Sequence, residues 1–166
     1  MIGNDIVDLA LARKENNWNR EGFLNKIFTK REQLMILTAQ NQEETVWNLW
    51  SRKEAAYKIY NRQTGIRAYI PLQLECFDLE VINQIVFGQV ECYGVIYYTK
   101  TEVSKDSIYT IAATSIEHFQ SIQNIENLSN IYKINGIPSW FDNKKSVELP
   151  VSISHHGRFT KMIRFN

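Results

Sequence analysis

Glu54 and Lys58 stand four residues apart in the stretch Trp50-Ser51-Arg52-Lys53-Glu54-Ala55-Ala56-Tyr57-Lys58. On a helix they share one face, roughly 40° from each other at 3.6 residues per turn. Trp47 and Trp50 fall on the same flank. A carboxylate, an ammonium and two indoles on one flank point to a face half buried against another element. A half-buried carboxylate beside a lysine is a candidate reactive group. Taken alone, a Glu–Lys pair at this spacing is ordinarily a surface ion pair worth a few tenths of a kcal/mol. Asp5 sits within the apolar run Met1 to Val7. Its carboxylate suits a hard cation such as Mg²⁺, and the ordinary alternative is a turn or capping aspartate. His155 follows Val151-Ser152-Ile153-Ser154, where a lone histidine is ordinarily a surface or capping group.

These residues need elements to hold them. Asn41 with Glu44 marks a helix start. Val46, Leu49, Ala56, Ile59 and Tyr60 recur at helical spacing and form its core stripe. Met1 to Val7 reads as a strand. Leu9 to Ile27 reads as mixed and helical, with Arg13, Lys14, Arg20 and Lys26 as basic surface residues. Thr29 with Glu32 is a capping box that opens a helix to about Thr38. Glu32 is therefore read as structural ahead of catalytic. Gly65 breaks the long helix. The alternation through Leu72, Leu74 and Cys76 reads as a strand. Val90 to Thr99 and Ile108 to Thr114 read as strands joined by a turn at Ser104-Lys105-Asp106-Ser107. Ile116 to Leu128 reads as a short helix, Asp142 to Ser146 as a polar loop, and Leu149 to His155 and Phe159 to Phe165 as strands.

Composition narrows the function classes. The chain of 166 residues, 44% hydrophobic and 22% charged, can bury a core and favours one domain over 1–166. A formal net charge of +1 argues against a generic nucleic-acid or anionic-membrane binder. Cys76 and Cys92 lie in strand-like runs and read as buried thiols. Asp5 and Asp8 interrupt the first apolar run, so no signal peptide is read there. No stretch is long enough to span a bilayer. The expected setting is cytoplasmic.

Three stretches together resemble a known family. Trp50-x-x-Lys53-Glu54-Ala55-x-x-Lys58 is similar to the signature of the 4′-phosphopantetheinyl transferases. Ile2-Gly3-Asn4-Asp5-Ile6-Val7-Asp8 and Val151-Ser152-Ile153-Ser154-His155 match two further motifs, in the order of the short, holo-acyl-carrier-protein synthase type. Gly136-Ile137-Pro138 resembles a turn of the same family. The region 87–129 is longer than in that type.

The resemblance implies an α+β fold, with an antiparallel sheet packed on the long signature helix. It implies transfer of the phosphopantetheine arm of coenzyme A to a serine of an acyl or peptidyl carrier protein, releasing adenosine 3′,5′-bisphosphate. It assigns Asp5 and Glu54 to a catalytic Mg²⁺, or Mn²⁺ in its place. Val7 stands where the larger, two-lobed members carry a third acidic ligand. Asp8 matches an acidic position of the short type and has a supporting role. Glu54 and Lys58 are the catalytic pair, and Glu54 or a metal-bound water is the first choice of base. Lys53, Lys58, Ser154 and His155 are the coenzyme contacts, with His156, Gly157 and Arg158 as a flexible, potentially cationic edge. The rival reading is a non-catalytic carrier-protein or nucleotide-binding module that retains the fold. In the two-lobed relatives the serine–histidine strand closes one copy of the fold and the metal aspartate opens the next. With Asp5 near its start and His155 near its end, this chain is expected to share its site between subunits of a homo-oligomer, most simply a trimer.

Overall fold

A computed structural model describes residues 1–126, 129, 131–142 and 147–166. The chain begins with strand β1 (Ile2–Asp8). Three short helices follow: α1 (Leu9–Glu15), α2 (Phe23–Ile27) and α3 (Lys30–Thr38). The long helix α4 (Gln42–Thr64) comes next, then four strands: β2 (Glu75–Ile82), β3 (Ile85–Cys92), β4 (Val95–Val103) and β5 (Ser107–Ala113). The C-terminal part holds β6 (Ile122–Asn124), β7 (Ile131–Ile134), β8 (Ile137–Asp142), β9 (Val147–His156) and β10 (Phe159–Phe165). Among the described residues, no helix is long and apolar enough to cross a membrane.

The fold is α+β, but where one sheet was expected the described strands form two. The first has the order β1-β5-β4-β3-β2 and the second β6-β10-β9-β8-β7. Every pairing is antiparallel. Helix α4 lies on the first sheet. Asn41 caps its start by accepting from the Glu44 N–H, and Gly65 ends it in the left-handed conformation. The predicted stripe of Val46, Leu49, Ala56, Ile59 and Tyr60 is buried, joined in the core by Val7, Val90, Tyr97 and Ile108. A smaller cluster of Ile2, Ala113 and Ile163, with Phe119, Ile122 and Phe165 against it, binds the second sheet to the first.

Three local expectations need correction. The run Val90 to Thr99 is two strands, turned at Tyr93 and Gly94, whose φ values are 51° and 80°. A tyrosine seldom takes that conformation, so residue types there hide the turn. The strand expected from Leu72 starts only at Glu75, because Pro71–Gln73 make a 3₁₀ turn. The expected helix from Ile116 is a 3₁₀ segment to Ser121, followed by β6, which pairs with Ile163–Phe165. Residues 127 and 128 of that expected helix, and 143–146 of the polar loop, lie outside the described residues. The turn at Ser104 is as read: its N–H donates to the Ser107 carbonyl at 2.9 Å. Cys76 and Cys92 are buried free thiols.

Candidate active site

Gly3 lets β1 lie directly on α4. A Cβ at this position would overlap the Ala55 carbonyl oxygen. Asp5, two residues on, projects from the same side of the strand as Gly3. That contact sets the Asp5 carboxyl beside the Glu54 turn of α4. Both line a cleft of about 200 Å³, with Trp47 and Trp50 on its helix side and His155 and His156 on the other.

Strand β9 reaches this place because it runs against β1. The Asn4 N–H donates to Ser152 Oγ at 2.9 Å, and the Asp8 N–H donates to His156 Nδ1 at 2.8 Å. Lys58 joins all three elements. Its Nζ donates to the carbonyls of Asn4 at 2.5 Å and Ile153 at 3.2 Å, and lies 3.7 Å from Asp5 Oδ1. Two of its three donors are thus on backbone carbonyls, and its charge faces the carboxylate. Lys58 also borders a second, larger cleft of about 360 Å³, lined on its basic side by Arg62, Lys133 and His155. His155 borders both clefts. The two clefts thus share His155, with the carboxylates of Asp5 and Glu54 on one and the cationic groups of Lys58, Arg62 and Lys133 on the other.

Electrostatics follow from burial. Desolvation pushes the Glu54 carboxyl up to about 7, with the Asp5 charge adding to it and Lys58 opposing. Desolvation likewise pushes Asp5 up to about 6 against the pull of Lys58. The Tyr69 phenol beside Glu54 is raised well above its usual range, first by burial and then by the Glu54 charge. Asp5 and Glu54 therefore hold their negative charges at some expense. Among the described residues no group of three or more His, Cys, Asp or Glu side chains converges as a metal cage. The pair instead fits a hard dication that keeps most of its waters, since oxygen donors suit it and its charge relieves both burial and repulsion.

A model of the 4′-phosphopantetheinyl transferase superfamily matches residues 1–112. The chain belongs to that superfamily. A holo-[acyl-carrier-protein] synthase from Fusobacterium nucleatum is 38% identical over 82 residues, covering 49% of this chain and 60% of the relative. Synthases of the same name from Natranaerobius thermophilus and Chlamydia felis are 32% and 34% identical over 82 residues. Each match covers 49% of this chain and 60% or 62% of the relative. The chain thus spans about three fifths of the length of the curated relatives it matches.

For a member of this superfamily, the structure brings together Asp5, Glu54, Lys58 and His155 and sends other expected residues elsewhere. Lys53, expected as a coenzyme contact, borders neither cleft. Its side chain is wholly buried, 2.8 Å from Glu32, and donates to the carbonyls of Pro71 and Leu74. Glu32 in turn accepts from the Cys76 N–H at 2.8 Å and closes the capping box on Thr29, which makes it structural as read. Removing one partner of such a pair leaves a buried charge. We expect Lys53→Ala to lower unfolding free energy by about 3–5 kcal/mol in chemical denaturation. A loss under about 1 kcal/mol would mean the pair is unimportant.

Ser154, also expected as a coenzyme contact, is turned into the protein. It is buried, its hydroxyl is unpaired, and it borders neither cleft. Strand alternation explains this: Ser154 faces inward while its neighbours Ile153 and His155 face the larger cleft. The expected cationic edge after His155 is likewise committed. Arg158 donates to Asp8 through its backbone N–H, Nε and Nη2 at 2.9–3.0 Å. Gly157, at φ 53°, passes so close over Asp8 that a Cβ would strike its carboxyl. Asp8 also caps α1 by accepting from Ala10 and Leu11. Those bonds, the Arg158 side chain foremost, hold its carboxyl far below the usual range. His156 accepts at Nδ1 from the Asp8 N–H, and its Nε2 lies 3.6 Å from Glu15.

Within one chain, His155 borders the same cleft as Asp5 and Glu54, so a site completed by a single chain stands beside the shared-site expectation. Sequence reading missed Arg62, which borders the larger cleft and donates to the carbonyls of Pro138 and Val151 at 2.8 and 2.7 Å. Its spacing of four from Lys58 along α4 was the available signal.

Proposed function

We propose that this chain transfers the 4′-phosphopantetheine group of coenzyme A to a serine hydroxyl of an acyl or peptidyl carrier protein, releasing adenosine 3′,5′-bisphosphate. The observation that carries this reading is the meeting of Asp5 and Glu54 on one cleft with His155, and of Asp5 with Lys58 at 3.7 Å. The names of the relatives, which describe synthesis of the holo carrier, support it. Asp5 and Glu54 would hold Mg²⁺, which supplies neutralisation of the charge that builds on the pyrophosphate oxygens.

The chain's own groups account for the rest. The serine oxygen forms a bond to the β-phosphorus, and the bond from that phosphorus to the bridging oxygen breaks. The electron pair leaves with the nucleotide bisphosphate. Glu54, or a water beside it, is the candidate acceptor of the serine proton. Lys58 lends a fixed positive charge between the two clefts and faces the developing negative charge. His155 borders both clefts and suits a contact to a phosphate there. Arg62 and Lys133 make the larger cleft suitable for the remaining phosphates of the coenzyme. Lys14, Arg20 and Lys26 are exposed, as is Arg13, which pairs with Glu43, and these side chains suit an acidic carrier.

The deciding experiment incubates the protein with coenzyme A, Mg²⁺ and a panel of apo carrier proteins, read by mass spectrometry. A carrier gaining the phosphopantetheine mass supports the reading. No modified carrier across fatty-acid, polyketide and peptide systems, with the protein folded, counts against it. In the same assay we expect Lys58→Ala and His155→Ala each to lower kcat/KM for coenzyme A by about tenfold or more, the loss of one charge-assisted contact. Unchanged constants for both would leave them as ordinary groove residues.

A further inference from the structure

Glu54 has a neighbour that neither cleft exposes. Tyr69 lies in the short connection after α4, which is pinned at its start. The Gly65 N–H donates to the Asn61 carbonyl at 2.8 Å, and Asn61 Nδ2 donates to the Ile66 carbonyl at 2.7 Å. The Tyr69 ring meets Trp50 at 5.7 Å and Tyr57 at 5.2 Å between centroids. Trp50 and Tyr57 stand four before and three after Glu54, so both flank it on one face of the helix. A ring that touches both is held over the turn that carries Glu54.

The hydroxyl of Tyr69 is buried and has no hydrogen-bond partner. A buried hydroxyl is normally paired, and an unpaired one is costly. The acceptor on the helix turn that the ring covers is the Glu54 carboxyl, and each group perturbs the other. Tyr69 borders neither cleft, so it acts through Glu54 and not on a ligand.

We propose that Tyr69 is a positioning residue whose hydroxyl donates to the Glu54 carboxylate and holds it in the orientation that binds a divalent cation. This rests on the metal role given to Glu54 under Proposed function. Groups that orient a metal-bound carboxylate from behind typically contribute 10–100-fold to metal affinity. The bond also gives the orphaned hydroxyl its acceptor. Ionised Glu54 is the better acceptor, so cation binding and this hydrogen bond favour each other.

The test is calorimetric titration of the metal-free full chain with Mn²⁺, for the parent, Glu54→Gln and Tyr69→Phe. The phenylalanine keeps the ring against Trp50 and Tyr57 and removes only the hydroxyl. We expect Glu54→Gln to abolish the saturable binding. We expect Tyr69→Phe to weaken it about tenfold, with a melting temperature no lower than the parent's. Binding by Tyr69→Phe within twofold of the parent overturns the proposal and leaves the metal role of Glu54 standing. Weaker binding together with a lowered melting temperature marks Tyr69 as a packing residue and also overturns it. If Glu54→Gln binds Mn²⁺ as the parent does, the metal role itself fails and the Tyr69 proposal falls with it.

Discussion

Glu54→Gln should abolish transfer while making the metal-free protein more stable. The activity loss is at least about 100-fold, because the substitution removes both a cation ligand and the proposed proton acceptor, and several kcal/mol of transition-state stabilisation go with them. The stability gain follows from the sign of the pKa shift. Glu54 is raised from 4.5 to about 7, so between those values the folded state binds more protons than the unfolded state. Stability of the parent therefore falls as pH rises across that window. Above pH 7 the buried carboxylate carries its full penalty, on the order of 1–3 kcal/mol. The neutral amide has no such penalty, so its melting temperature should exceed the parent's at pH 8. The two should converge towards pH 4. Asp5, raised to about 6, adds a slope of the same sign in both proteins. Calorimetric melting across pH 4–8 with a chelator present, beside the carrier assay, checks both halves. Parental turnover in saturating Mg²⁺ would remove Glu54 from the chemistry. A melting temperature at pH 8 equal to or below the parent's would show that the carboxylate is not strained by burial.

Mixing two inactive variants should restore nothing. If sites lay between subunits, a Glu54→Gln chain would supply His155 and a His155→Ala chain would supply Glu54. Random assembly of a cyclic oligomer would then make about a quarter of the sites intact. In the structure, His155 borders the same cleft as Asp5 and Glu54 of its own chain, so every site in the mixture carries one defect. The expected activity is that of the variants measured separately, whatever the oligomeric state. Subunit exchange is proven with two affinity tags before the assay. Recovery to about a quarter of parental activity would establish a site shared between chains.

What could be read from the residues was local. The span of α4 follows from Asn41, Glu44 and Gly65, and its buried stripe from apolar spacing, because caps and periodicity act within a few residues. The paired position of Glu54 and Lys58 follows from helix geometry alone. The capping role of Glu32 was equally legible in Thr29-x-x-Glu32. The motifs at both ends of the chain marked Asp5 and His155 as partners of Glu54. None of this placed those residues on one cleft.

That was decided by the tertiary structure. Gly3 seats β1 on Ala55, Ser152 and His156 take N–H groups of β1, and Lys58 bonds to both strands. These contacts cross up to 148 residues of sequence, beyond any local pattern. The same packing sorted residues of similar chemistry. Lys53 and Lys58 are five apart on one helix, so they point in different directions by roughly 140°. One enters the core against Glu32 and the other faces Asp5. Arg158 follows the histidines, yet the turn at Gly157 folds it back onto Asp8. The sequence by itself determined the family, the long helix and the chemical types at the site. Which of those types face the groove was decided by burial, because a charge is accessible to a ligand only where the packed core does not already provide its partner.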